Sequence, residues 1–238
     1  MSKHDESPLP AGDISMSHSS PFSDDSVQPP VRGFLHRPEN PNTNGLVLAH
    51  SAGSNAQSPL LVALAEAFAS GAFTVLRCEL PYRQLRHYGP PGPGDAARDR
   101  AGLKNAVAAV RKLAPGKMFV GGHSYGGRQS TMLCAEDPDI ATGLLLLSYP
   151  LHPPRKPEQL RTQHLPKLRN ASLFVHGTRD PFGSVQEMEK ALQLIPAKTN
   201  LLTIEGAGHD LNFKKGATGG DFIATVVRAF QEFFEEPR

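Results

Sequence analysis

The run Gly121-Gly122-His123-Ser124-Tyr125-Gly126-Gly127 has residue types and spacing suited to nucleophilic chemistry. Glycines stand two positions before and two after Ser124, in the pattern G-x-S-x-G. An apolar stretch, Met118–Gly121, leads into the run, and a helical pattern follows it. A serine at a sharp strand-to-helix turn needs a strained backbone, and side chains at 122 and 126 would crowd it. Glycine at both positions leaves the hydroxyl exposed above the N-terminus of the next helix, where free amides and the helix dipole favour developing negative charge. That arrangement suits attack on an acyl carbon. The plain alternative is a Gly-rich turn that only packs closely.

A serine hydroxyl is a weak nucleophile at neutral pH and needs a base within hydrogen-bond reach. Of ten histidines, His209 in Glu205-Gly206-Ala207-Gly208-His209-Asp210 has the best setting, because small residues let that loop carry an imidazole over the sheet edge. The base in turn needs an acid to fix its tautomer. Asp180, in His176-Gly177-Thr178-Arg179-Asp180-Pro181, follows an apolar strand pattern. Turn chemistry alone could also place an Asp before Pro there. The chain order Ser124, Asp180, His209 matches that of α/β-hydrolases and differs from that of chymotrypsin and subtilisin. Asp210 is the fallback acid, disfavoured because a sequence neighbour rarely orients its own histidine. Oxyanion donors are expected from the N–H of Tyr125 and from the loop His50-Ser51-Ala52-Gly53-Ser54, through the N–H of Ala52. His50 itself is read equally well as a packed strand-end residue or as a direct participant.

These residues need a scaffold that brings distant loops together. Short apolar runs predict strands at Val31–His36, Leu46–His50, Thr74–Cys78, Met118–Gly121, Gly143–Ser148, Ser172–His176 and Asn200–Ile204. Several are apolar throughout, as in central strands of a parallel sheet covered on both faces. Helical patterns fall at Pro59–Ser70, Asp95–Leu113, Gly126–Ala135, Ser184–Ile195 and Gly220–Phe234. In the second, Ala106, Val107, Val110 and Leu113 share a face, with Arg98, Asp99 and Lys104 placed largely elsewhere. The alternation predicts a doubly wound, mostly parallel α/β sheet of about seven strands over residues 31–238. Residues 1–28 are rich in Ser, Pro and Asp without periodicity and read as a disordered tail.

Two connections are longer than they need to be, Pro81–Gly94 and Pro150–Arg169, and both leave from the carboxyl ends of strands, where such sheets bind ligands. The span between Tyr149 and Ser172 is too short for a large helical cap, so the cap is expected to be minimal and the cleft open. Arg83 and Arg86 in the first loop and Arg155, Lys156 and Arg161 in the second are candidate substrate-binding cations around the mouth. Ordinary solvated loop charges are the competing reading. Guanidinium is suited to paired hydrogen bonds with carboxylate or phosphate.

Net charge is +2; the first 30 residues carry −4, leaving about +6 on the rest. That excess is small and scattered, with no basic helix or aromatic-studded strand, so nucleic acid is not an expected partner. Cys78 and Cys134 supply neither a disulfide framework nor metal-ligand spacing. No segment reaches the roughly 18–20 apolar residues of a membrane span, and the first 28 residues lack a signal-peptide core, which predicts a cytoplasmic protein without membrane association. There is no phosphate loop, no H-E-x-x-H, no paired CxxC and no dinucleotide-binding G-x-G-x-x-G, so neither cofactor nor metal is implied.

The chain resembles the small, lid-poor α/β-hydrolases of the dienelactone-hydrolase-like kind. It is most similar to the group containing bacterial relatives of a testis-expressed protein and of a subunit of the non-specific-lethal histone acetyltransferase complex. The stretches that carry the resemblance are His50–Gly53, Gly122–Gly127, Ser148–Pro154, His176–Gly183 and Gly206–His209, which together span the chain from about Val31. Dienelactone hydrolase itself uses a cysteine where this chain has Ser124, and the loop reads His-Ser-Ala-Gly where His-Gly is commoner. The resemblance implies the fold and a Ser-Asp-His triad but supplies no substrate. The resulting expectation is a metal-independent serine hydrolase that cleaves small esters or thioesters. Two alternatives stay open, a catalytically idle binding or scaffold protein and a small serine peptidase.

Overall fold

The computed structural model describes residues 19–211 and 220–234. Eight strands form one sheet: β1 (Ser19–Asp24), β2 (Val31–His36), β3 (Gly45–Ala49), β4 (Thr74–Cys78), β5 (Met118–His123), β6 (Gly143–Leu147), β7 (Ala171–Gly177) and β8 (Thr199–Ile204). Their order is β1-β2-β4-β3-β5-β6-β7-β8. β2 runs antiparallel to both its neighbours, and β3 to β8 are mutually parallel. The expected doubly wound, mostly parallel sheet is what forms, with one strand more than the sequence patterns predict.

Period-2 geometry explains why the central strands are apolar throughout. Val47, Ala49, Leu144 and Leu146 face one core, beneath α3 (Asp95–Leu113), α4 (Tyr125–Glu136) and α5 (Val185–Leu192). Leu46, Leu48, Leu145 and Leu147 face the other, under α1 (Pro59–Ser70) and α6 (Gly220–Phe234). With helices on both faces, no strand position between 45 and 49 or 143 and 147 is left for a polar side chain. Edge-to-face contacts of Phe230 with Phe68 and Phe119, at centroid separations of 4.9 and 4.8 Å, lock α6 and α1 onto the sheet.

Three expectations need correction. Residues 1–18 of the expected tail lie outside the described residues, but Ser19–Asp24 form β1 and pair with β2 from Ser19↔His36 to Asp24↔Val31. An edge strand draws its stability from backbone hydrogen bonds and needs only a little apolar contact, here Phe22 and, just beyond the strand, Val27 against the core. The Pro81–Gly94 connection opens with a short helix, α2 (Pro81–Leu85), whose five residues are too few to show periodicity. Asp99, which the sequence pattern places largely off the apolar face of α3, is fully buried. It accepts from the Tyr82 amide at 2.9 Å and from the Tyr125 hydroxyl at 2.7 Å.

Winding reverses between β3 and β5: from β3 the chain moves one way to β4, which fits between β3 and the earlier β2, and from β5 it moves the other way through β6, β7 and β8. The loops leaving β3 and β5 therefore diverge and open a crevice at their carboxyl ends.

Candidate active site

Ser124 sits in that crevice, between the end of β5 and the first residue of α4. Its backbone is held at φ 51°, ψ −112°, a sparsely populated region that costs about 1–3 kcal/mol for a side-chain-bearing residue. Hydrogen bonds from the Ser124 amide to the Leu147 carbonyl (2.8 Å) and from the Gly126 amide to the His50 carbonyl (3.1 Å) over-determine the turn. The flanking glycines serve close approach to β3. A Cβ at position 122 would lie 2.0 Å from the Ala49 carbonyl oxygen, and one at 126 would lie 2.5 Å from it. The crowding that the motif implies thus comes from the neighbouring strand, and only glycine lets the elbow press against it.

Asp180 and His209 reach the same point from the ends of β7 and β8. Their loops are joined by hydrogen bonds from the Arg179 amide to the Ala207 carbonyl (2.8 Å) and from the Thr178 amide to the Ile204 carbonyl (3.1 Å). The small residues before His209 matter here, since Ala207 and Gly208 pack directly over Gly177. His209 Nε2 lies 2.8 Å from Ser124 Oγ, and its Nδ1 lies 3.0 and 2.8 Å from the two carboxylate oxygens of Asp180. Asp180 is buried and also accepts from the Phe182 amide at 2.8 Å. A proton on Nδ1 shared with Asp180 leaves the Nε2 lone pair facing the serine hydroxyl. The structure therefore brings the three predicted residues into one hydrogen-bonded chain, in which Asp180 and not Asp210 lies against Nδ1.

Two neighbours fix the imidazole further. Phe182 stacks on it at a centroid distance of 4.0 Å, and His123 Nε2–H donates to the His209 carbonyl at 2.8 Å. Burial pushes His123 down to about 4, so its ring stays neutral at ordinary pH and keeps that donor in place.

The serine opens into a pocket of about 430 Å3 whose lining includes Ala52, Tyr125, Pro90, Pro150 and Phe182. Both long loops contribute to its walls. Tyr125 is the first residue of α4, so its amide belongs to the helix end that has no intrahelical partner. The Ala52 loop is held from below. The Tyr82 hydroxyl donates to the Ala52 carbonyl at 2.8 Å, and Arg83 donates to the carbonyls of Ser54 (2.9 Å) and Ala52 (3.0 Å). His50 is buried beneath this loop and does not line the pocket. Its Nδ1 lies 2.9 Å from the Ser51 carbonyl, and its Nε2 lies 3.1 Å from the Leu80 amide and 3.0 Å from a Glu79 carboxylate oxygen, so both ring nitrogens are engaged inside the protein, which favours the packed reading.

The predicted cations fare differently. Arg83 is a buried clamp on the Ala52 loop, further engaged with the Arg86 and Gly89 carbonyls, and is not a contact surface for substrate. Arg86 pairs with Asp95, and Arg155 is not among the residues lining the pocket. Of the five, Arg161 alone reaches it. Arg128, which the sequence motifs did not single out, lines the pocket as well. Its place four residues after Ser124, one turn along the same helix, was the available signal. Burial raises the thiols of Cys78 and Cys134 to about 12, so neither is poised as a nucleophile.

An eight-stranded sheet of this order, with a strained serine after β5 and partners after β7 and β8, defines an α/β-hydrolase architecture. The chain belongs to the alpha/beta hydrolase domain family, whose profile matches residues 42–235. Its fold is similar to that of dienelactone hydrolase from Anabaena variabilis ATCC 29413, at 20% identity and TM-score 0.69, covering 92% of this chain and 97% of that one. Est1E from Butyrivibrio proteoclasticus matches at 16% identity and TM-score 0.68, covering 92% of this chain and 100% of that one. XC6422 from Xanthomonas campestris, an α/β serine hydrolase without lid, matches at 15% identity and TM-score 0.66, over 98% and 100% of the two chains. Among the described residues of the present chain, the span between β6 and β7 holds one short 3-10 turn, Leu165–Lys167, and no helical cap. No described helix is long and apolar enough to cross a membrane.

Proposed function

We propose that this protein is a serine hydrolase that cleaves small carboxylic esters or thioesters through an acyl-enzyme. His209 Nε2 takes the proton of Ser124 as Oγ attacks the acyl carbon, and Asp180 holds the imidazole in the required tautomer and stabilises the imidazolium. The amides of Tyr125 and Ala52 receive the charge that develops on the carbonyl oxygen. Proton return from His209 releases the alcohol or thiol. Water then attacks the acyl-enzyme with His209 again as base, and the acid leaves. Neither step needs a metal or an organic cofactor.

The observation that carries this reading is the continuous chain of hydrogen bonds from Asp180 through His209 to Ser124 at the wall of an accessible pocket. A binding scaffold has no need of a serine at φ 51° aligned with a histidine–carboxylate pair. The pocket of about 430 Å3 and the lack of a helical cap among the described residues favour small acyl groups over long lipid chains. The narrower likeness to bacterial relatives of the testis-expressed and non-specific-lethal proteins rests on the motif stretches in the sequence and adds no substrate.

A chain-length series of p-nitrophenyl esters, run beside a matched p-nitroanilide, tests the proposal. The expected result is turnover of short acyl esters that declines as the chain outgrows the pocket, with little anilide cleavage. Anilide cleavage faster than ester cleavage would favour a peptidase instead.

A further inference from the structure

Two arginines in the catalytic pocket are left without a counter-charge. Arg128 lies in the first turn of α4, where its amide donates to the Ser124 carbonyl at 2.9 Å. Side chains on a helix tilt toward its N-terminus, so the guanidinium at 128 is carried back toward the nucleophile's end of the pocket. Its Nε is buried without a hydrogen-bond partner. Arg161 comes from the connection after β6, and among the described residues the hydrogen bond of its guanidinium is a long one, 3.4 Å to the Pro150 carbonyl.

Neither guanidinium forms an ion pair with a described residue, whereas Arg32, Arg86, Arg98 and Arg100 all do. Among the described residues, no carboxylate lines the pocket. The titratable groups around the pair do not neutralise it. Burial, then the nearby Arg128 and Arg100, push His164 down to about 4, and burial pushes Tyr149 up to about 12, so both are uncharged at neutral pH. Arg161 is itself held below the usual guanidinium range, first by burial and then by repulsion from Arg128. Two half-buried like charges placed together repel one another, and an anion sharing the site would relieve that repulsion.

We propose that Arg128 and Arg161 form an anion subsite beside Ser124, so that the preferred substrates are esters or thioesters carrying a carboxylate or phosphate near the scissile bond. This rests on the hydrolase reading above and names its substrate class. Planar guanidinium groups from two walls can grip a carboxylate or phosphate through paired hydrogen bonds and set the distance from the anion to the reacting carbonyl.

The test compares kcat/KM for matched anionic and neutral esters. Mono-p-nitrophenyl adipate against p-nitrophenyl hexanoate places the charge on the acyl side. 4-Acetoxyphenylacetate against 4-acetoxyphenylacetamide places it on the leaving group. In the wild type one of the two pairs is expected to show a preference of about tenfold or more for the anion, the scale of a charge-assisted hydrogen bond. In Arg128→Gln and in Arg161→Gln that ratio falls toward one, while Arg128→Lys keeps part of it. Because the readout is a ratio within each variant, a general loss of activity cancels. Ratios near one in both pairs for the wild type, or ratios unmoved in both Gln variants, overturn the subsite.

Covalent labelling of Ser124 by a neutral fluorophosphonate separates the two claims. A labelled serine with equal ester ratios refutes the subsite alone. An unlabelled serine refutes the hydrolase reading, and the subsite is then judged by calorimetric titration of adipate into the wild type and both Gln variants. Binding weakened about tenfold in the variants supports it, and absent or unchanged binding overturns it.

Discussion

The hydrogen bonds at His209 assign different work to two adjacent acids. Asp180 is buried and reaches Nδ1 at 2.8 Å, and Asp210 follows the histidine in sequence on the loop after β8. Asp180→Asn is therefore expected to lower kcat by several orders of magnitude, since an amide there favours the wrong imidazole tautomer; the comparable change in a serine protease costs about 10⁴. Asp210→Asn is expected to cost less than tenfold, and steady-state kinetics on the two variants would show the reverse ranking if the acid were misassigned. His209 accepts a proton only when neutral, so kcat/KM should rise with pH in one step. His123, the neighbouring ring, is held neutral down to about 4 and should add no second step above that pH. A profile with two ionisations between pH 5 and 8 would contradict this. Much of the site was legible in residue types and chain order, because nucleophile, acid and base each sit where a strand ends. Arg83 and Arg128 were not. A loop arginine that clamps the Ala52 carbonyl looks the same in sequence as one that faces solvent, and the pairing of Arg128 with Arg161 on the pocket lining emerges only when the connection after β6 folds over the site.

Among the elements, β1 changes the expectation for the N-terminal segment. A chain beginning at Pro29 would lose the full pairing of Ser19–Asp24 with β2, the Arg32–Asp25 ion pair and the core contacts of Phe22 and Val27. It would also expose the β2 edge, a template for pairing with other chains. That truncation should lower the melting temperature by several degrees, at about 2–4 °C per kcal/mol for a domain of this size, and calorimetry reads it directly. An unchanged melting temperature would mean that β1 contributes nothing to the domain. The strand was hidden because only Phe22 gives it an apolar signal, and the pairing that stabilises it is made by backbone atoms. α1 and α3, in contrast, begin and end where the sequence patterns place them, since Pro59 and the long apolar periodicity of Asp95–Leu113 are local signals. α5 starts one residue later than expected because Ser184 caps the helix from outside, reciprocally with Glu187.

For the molecule as a whole, buried histidines couple stability to pH. Burial holds His36, His123 and His164 at about 4 against an ordinary value of 6.5. Below about pH 6.5 the unfolded chain binds protons that the folded chain refuses, so stability should decline as pH falls from there toward 4. Melting temperatures at pH 7.5, 6.5 and 5.5, where carboxylates remain ionised, should show a progressive drop; a flat series would mean that these rings are not neutral in the folded state. The same scale explains why the fold was readable while its substrate was not. Apolar runs covered on both faces reveal a parallel sheet from local pattern alone, whereas pocket shape depends on how the loops after β3, β4, β5 and β6 converge.

The central claim is that Ser124 is a nucleophile activated by His209. It is tested most directly by treating the full chain with a fluorophosphonate and locating the adduct by intact-mass and peptide mass spectrometry. The account predicts one adduct, on Ser124, absent from a folded Ser124→Ala variant whose ester turnover falls by about 10⁶, the scale of nucleophile loss in subtilisin. A chain that stays unmodified, or an adduct on another residue with turnover retained in Ser124→Ala, would contradict it.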